Sequence, residues 1–272
     1  MVFEPLQVLP ALVAGVLYAR RAGTLRAAGR PVPPWRQGCF ALGLLLGTAG
    51  VVALGELGDE RFAAHMAEHL LLGDLGALLV VLGLTGPVLQ PLLRRAAWLR
   101  VLGHPVVAFA LWAGNLFLWH LPALHEAAVE NAGVHALQHA LFTGLGVAVW
   151  LPLFGPLPQP RWFRNLGRLV FIIAVRLAGA VLANVLLWAE RPLYDVYTAA
   201  DPLGDQQLAA GLMMVEGSLL TLVLFGWLFL RAARESEEAQ RLVELGADPD
   251  RAARAAAARR GAELRERLEA ER

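Results

Sequence analysis

Lysine is absent from this sequence of 272 residues, so all 24 basic side chains are arginine. The missing lysine reads as genomic base composition. Acidic residues number 23 and the formal net charge is +1, which leaves no large electrostatic footprint of the kind that nucleic-acid binding requires. Cysteine is nearly missing as well. The single thiol, Cys39, lies in an apolar run; one cysteine excludes a disulfide framework and any Cys-x-x-Cys metal or redox motif. Charge of either sign is sparse, at 17% of residues against 57% hydrophobic, with a mean hydropathy of +0.52. The apolar residues fall in long blocks, so the composition points to an all-α, polytopic membrane helical bundle.

A window of about 20 residues, enough to cross roughly 30 Å of hydrocarbon, predicts seven transmembrane helices. They fall at about 3–19, 36–55, 63–84, 101–121, 134–154, 166–188 and 207–230. The first is short and carries Pro10; its arginines follow the apolar core instead of preceding it, so it is expected to be a retained span and not a cleaved signal. The linkers alternate in character. RRAGTLRAAGRPVPPWR, RRAAWLR and PQPRWFRNLGR are arginine-rich, whereas ELGDER, PALHEAAVEN and ERPLYDVYTAADPLGD are acidic or neutral. Arginine marks the cytoplasmic side, which puts the N-terminus outside and the C-terminus inside. The chain is expected to divide into a transmembrane domain, 1–230, and a charged Ala/Glu/Arg-rich cytoplasmic helical tail, 231–272.

That orientation sorts the seven histidines by depth. His65 and His69 open the third span, His120 closes the fourth, and His135 and His139 open the fifth, all at the outer face. Positions i and i+4 of a helix project from the same side one turn apart, so each H-x-x-x-H pair can turn two imidazoles toward one point. Imidazole suits copper, zinc, iron and nickel. Met66 beside the first pair, with Met213 and Met214 in the seventh span, offers thioether sulfur and tilts the expectation toward copper, above all Cu(I). Met213 and Met214 by themselves are as readily packing residues. His104 and His125 are read as ordinary polar residues, the second in an outer loop.

Arg176 and Glu216 fall deep in the sixth and seventh spans at comparable depth. Because an unpaired charge there is costly, they are expected to form a buried ion pair. Asp74, little more than a turn below His69, can join either that pair or the imidazoles, where it would orient a ligand ring.

The blocks HMAEHLLLGDLGALLVVLG, LWHLPALHEAAVENAGVHALQHALF, PLYDVY and DQQLAAGLMMVEG resemble, in order and spacing, the polytopic CtaG family of bacterial cytochrome c oxidase assembly factors. The resemblance runs from about Ala63 to Arg234. It implies seven spans, a place in the bacterial cell (inner) membrane, and a part in maturing a haem–copper oxidase, most plausibly by delivering copper. The positions that match the family's motifs are His65, Met66, His69, Trp119, His120, Pro122, His135, His139, Tyr194, Asp205, Gln206 and Gln207. Glu68 departs from it, standing where an uncharged amide is expected, and adds a hard carboxylate to the first pair. The cysteine-based, single-span copper chaperones that share the family's name are a different type, and no C-x-C motif occurs here.

The expected protein is therefore a metal-binding assembly factor and not an enzyme, with oxidase subunits, an extracytoplasmic copper donor and the bilayer as its partners. Two alternatives stay open. The histidines can be axial ligands to haem in an electron carrier or quinol-linked oxidoreductase, or the chain can be a scaffold that binds oxidase subunits and no metal.

Overall fold

A computed structural model describes residues 4–257, and the described residues contain helices and no strand. The chain opens with α1 (Glu4–Ala27) and α2 (Pro34–Glu60). A nearly continuous rod follows: α3 (Phe62–His69), a π-helical turn (Leu70–Gly76) and α4 (Ala77–Gly83). Short α5 (Gly86–Arg95) and a 3-10 turn (Ala97–Gly103) lead to α6 (Pro105–Trp119), α7 (Pro122–Glu130), α8 (Ala132–Phe154), α9 (Asn165–Leu187), α10 (Pro202–Glu244) and α11 (Pro249–Ala257). Among the described residues, six helical stretches are long and apolar enough to cross a membrane, and a seventh results if the bent pair Ala97–Gly103 and Pro105–Trp119 is one span.

Two spans differ from their sequence expectations. The first is longer: α1 carries on past residue 19 to Ala27, because YARRAGTLRA contains good helix formers and nothing that breaks the ladder. It stops where Gly29 takes φ 72° and the Arg30 amide reaches back 2.9 Å to the Leu25 carbonyl, a left-handed cap that glycine adopts without a Cβ clash. The fourth is broken. Proline restricts the residue before it to extended backbone, and His104 before Pro105 has φ −78° and ψ 126°. The two pieces meet at 78°, and α6 itself has only 15 residues, about 22 Å of rise. Leu121 before Pro122 is extended for the same reason, which ends the span and starts α7.

No break marks the expected boundary at 230/231. Helix α10 runs for 43 residues, about 65 Å, and ends at a second left-handed glycine, Gly246 at φ 100°. There Ala247 bonds back to Leu242 at 2.9 Å, and α11 packs on the helix end through Leu242, Ala247 and Ala252. The rest of the expected tail, 258–272, lies outside the described residues, as does residue 3, where the first span was expected to begin.

Glycines let the central helices approach closely, as small residues do between membrane helices. A Cβ at Gly43 of α2 would stand 2.6 Å from the Gly76 carbonyl oxygen and 2.8 Å from the Val80 amide. One at Gly146 of α8 would collide with the Gly73 carbonyl oxygen. The π turn is thus clamped between α2 and α8. At the C-terminal end of α4 the Arg36 guanidinium donates to the Leu82 and Leu84 carbonyls at 2.9 and 2.8 Å, satisfying acceptors that a helix C-terminus leaves free.

Candidate metal centre

Three helix starts and two helix–loop junctions meet at one end of the bundle, and local capping sets where each helix begins. Asp205, in the first turn of α10, accepts from the Phe62 amide at 2.7 Å and the Ala63 amide at 3.4 Å, supplying the acceptor that the start of α3 needs. Asn131 caps α8 by accepting from Gly133 and Val134 at 2.9 and 3.1 Å. Each cap places an H-x-x-x-H pair in the first turns of its helix, and the glycine contacts hold the two helices together.

The four paired imidazoles converge. His65 is fully buried and His69 nearly so, and their Nε2 atoms lie 2.8 Å apart. Across the bundle the His135 ring stacks on His65 with centroids 5.2 Å apart, and His139 meets His69 edge-on at 5.1 Å. The donor atoms of His65, His69 and His135 all lie within 4.8 Å of one another, and so do those of Glu68, His135 and His139. Glu68 is fully buried, with Oε1 3.4 Å from His139 Nε2; Gly58 on α2 leaves room for it, since a Cβ there would stand 3.4 Å from Glu68 Oε2.

The donor set suits a cation. Metal–nitrogen bonds of about 2.0–2.1 Å put adjacent tetrahedral donors a little over 3 Å apart, so small side-chain rotations bring these atoms to bonding range. His65 Nδ1, His69 Nδ1 and His135 Nε2 are buried without a hydrogen-bond partner. Two Nε2 atoms aimed at each other are satisfied either by one shared proton or by one shared cation, and only the cation also employs His135. Glu68 adds a carboxylate oxygen, a hard donor, to the buried nitrogen set.

A second ring of side chains surrounds these four. His120 places Nδ1 2.7 Å from the Leu116 carbonyl, so the proton is on Nδ1 and the Nε2 lone pair, buried and without a partner, is the one left for a ligand; His120 belongs to neither three-donor set. The Tyr194 hydroxyl donates to the His120 carbonyl at 3.0 Å. His125, read from the sequence as an ordinary polar residue in an outer loop, lies on α7 and is 1% exposed, with its ring 4.9 Å from His65 and 4.1 Å from Tyr194. Its Nε2 shares a 2.6 Å hydrogen bond with the Tyr197 hydroxyl. Burial first, and then the neighbouring His120, push the His125 imidazole down to about 3, so it is neutral at physiological pH. Burial likewise holds the Tyr197 hydroxyl well above the ordinary phenol range. Spacing alone misses both residues. The signal available was the density of histidine and tyrosine in LHEAAVENAGVH and PLYDVY, which fold over one point.

A family model described as the cytochrome c oxidase caa3 assembly factor (CtaG) matches residues 16–235, a stretch that contains every histidine of this site. The chain belongs to that family. It is 31% identical over 183 residues to an uncharacterized protein of Mycobacterium leprae and 31% identical over 180 residues to one of Mycobacterium bovis. These matches cover 60% of this chain but 27% and 26% of the two relatives, so this chain spans about a quarter of their length. No solved structure matches it.

The remaining sequence candidates of this CtaG-family chain are placed as follows. Met66 is buried in the apolar cluster of Phe62, Trp119, Tyr194 and Met213, where it packs the base of the site. Met214 is partly exposed and, with Met213, lines a cavity farther along α10. Asp205 is the α3 cap, and Gln206 accepts from the Leu193 amide at 2.7 Å and donates to the Leu186 carbonyl at 2.9 Å, tying the tyrosine-bearing loop to α9 and α10. Asp74 turns away from the imidazoles: Arg176 Nη2 donates to its Oδ2 at 3.2 Å, while Arg176 Nη1 stands 3.6 Å from Glu216 Oε2. His104 lies at the start of α6, against Trp162.

Proposed function

We propose that this cytochrome c oxidase assembly factor holds copper at the four-histidine centre and hands it to a haem–copper oxidase subunit at the outer face of the bacterial cell membrane. The supporting observation is the convergence of His65, His69, His135 and His139, with Glu68 among them, at one buried point. The arginine-rich linkers put the opposite end of the bundle in the cytoplasm, which turns the centre outward, toward an extracytoplasmic copper donor. Copper is cargo, and its passage is ligand exchange: an incoming donor replaces one imidazole at a time, with no substrate bond made or broken. His120 Nε2 stands at the edge of the cluster as a further imidazole through which the ion can be passed. The haem alternative fits less well. The four rings touch one another, His135 and His139 with centroids 4.2 Å apart, and a macrocycle needs an open slot between its axial ligands.

Elemental analysis and an absorption spectrum of protein purified without added metal test this. Stoichiometric copper and no Soret band are expected, with the copper lost in His65→Ala. A Soret band would establish haem instead. Full oxidase maturation in cells whose only copy has all four paired histidines changed to alanine would establish a metal-free scaffold.

A further inference from the structure

The cluster of Asp74, Arg176 and Glu216 has a charge surplus that the metal centre does not use. Arg176 sits midway along α9, and its guanidinium lies over the Trp150 ring at 5.5 Å. Asp74 approaches one terminal nitrogen at 3.2 Å and Glu216 the other at 3.6 Å. All three side chains are 12–14% exposed. Two carboxyl groups therefore face one guanidinium, which offers donors only. Among the described residues, no second cation answers the extra negative charge. Helix α8 brings Trp150 to the cluster, α6 brings Trp112 and Leu116, and α10 adds Met213, Met214 and the hydroxyls of Ser218 and Thr221.

Further observations bear on what balances the surplus. Asp74 and Glu216 stand against the two terminal nitrogens of one guanidinium, at 3.2 and 3.6 Å, an arrangement in which two carboxylates repel each other and a carboxyl–carboxylate pair does not. Asp74 Oδ1 and Glu216 Oε1 are buried with no partner of their own. The cluster also opens on a cavity of about 460 Å³ bordered by Leu70, Gly179 and Gly217, roomy enough for water. Asp74 sits on the π turn that starts next to His69, and π turns inside helices recur at functional sites.

We infer that Asp74 and Glu216 form a proton-binding site at the middle of the bundle, holding one proton between them that exchanges with the adjoining cavity. With that proton the cluster is neutral: one carboxylate answers Arg176, and the carboxylic acid donates to the carboxylate. The site is separate from the metal centre, and its occupancy is set by the number of charges facing one another and not by copper.

Infrared spectroscopy of the full chain tests the inference without added metal. The wild type should show a carboxylic-acid C=O stretch at neutral pH that shifts in D2O. Glu216→Gln should abolish the band by leaving Asp74 alone with Arg176, and Asp74→Asn should abolish it by leaving Glu216 alone with Arg176. Arg176→Gln should strengthen it, because two carboxyl groups without a cation each take a proton. Glu68→Gln should leave it in place. The inference is overturned by a wild-type spectrum without the band, by a band that ignores D2O, or by a band that survives either amide change. Where one amide variant does not accumulate, the other decides, and the wild-type spectrum decides by itself when the band is absent.

Discussion

The Nε2 atoms of His65 and His69 stand 2.8 Å apart on consecutive turns of α3, with His135 stacked on the first ring and His139 edge-on to the second. Removing one imidazole takes away a donor that neither lipid nor a neighbouring apolar side chain replaces. His65→Ala and His139→Ala should each lower bound copper at least tenfold by elemental analysis, about 1.4 kcal/mol or more of affinity. His104→Ala, at the other end of α6, should leave it unchanged. Equal loss from all three would mean general misfolding and would sink the site.

The hydrogen bond between His125 and Tyr197 makes a second test. Tyr197→Phe leaves His125 Nε2 buried without its 2.6 Å partner, which should cost about 1–3 kcal/mol in thermal unfolding in detergent. His125→Phe keeps a ring in place and removes the other half of the bond. If the two act as a pair, the double change costs less than the sum of the single ones; strict additivity would show that the bond carries no coupling.

Charge counting at Arg176 gives an asymmetric expectation. Arg176→Leu leaves two carboxyl groups without their cation and should destabilise by about 3–5 kcal/mol, as broken buried pairs do. Glu216→Leu leaves the Asp74–Arg176 pair at 3.2 Å and should cost clearly less. The double change Arg176→Leu/Glu216→Leu still strands Asp74, so full recovery should need Asp74→Leu too. Equal melting temperatures for the two single variants would contradict the three-member arrangement.

Gly146 and Gly144 lie on the same helix in different surroundings. A Cβ at Gly146 collides with the Gly73 backbone, whereas one at Gly144 meets nothing within 4 Å. Gly146→Ala should lose about 1–3 kcal/mol from overpacking and weaken metal binding by pushing α8 away from α3. Gly144→Ala should do neither. Matching behaviour of the two would mean that the close contact does not position the site.

Orientation is open to a direct measurement. In a Cys39→Ser background, Ala123→Cys on α7 and Arg161→Cys between α8 and α9, both at exposed positions, should react with an impermeant thiol reagent from opposite sides. In intact cells the first is expected to label and the second not. Labelling of both from one side would reverse the proposed direction of copper delivery.

Much of this molecule is written in local pattern. Apolar blocks of about 20 residues specify membrane helices because each must satisfy its own backbone hydrogen bonds, and the i, i+4 spacing puts His65 beside His69 and His135 beside His139 whatever surrounds them.

Other features depend on contacts between distant segments. Asp74 had two destinations in the sequence, and the π turn together with the position of α9 sends it to Arg176. His125 read as a loop residue because α7 is short and weakly apolar, and it is buried only when PLYDVY folds across it from 72 residues away to bring Tyr197 within bonding distance. The sequence by itself determined where the apolar helices lie and each histidine pair, since these follow from backbone bonding and helical period along one stretch of chain, while α1 and α10 run well past the expected ends of their apolar blocks. Only the tertiary structure decided that the two pairs face each other and that two carboxyl groups share one guanidinium, because those relations rest on how closely glycine-lined helices can approach.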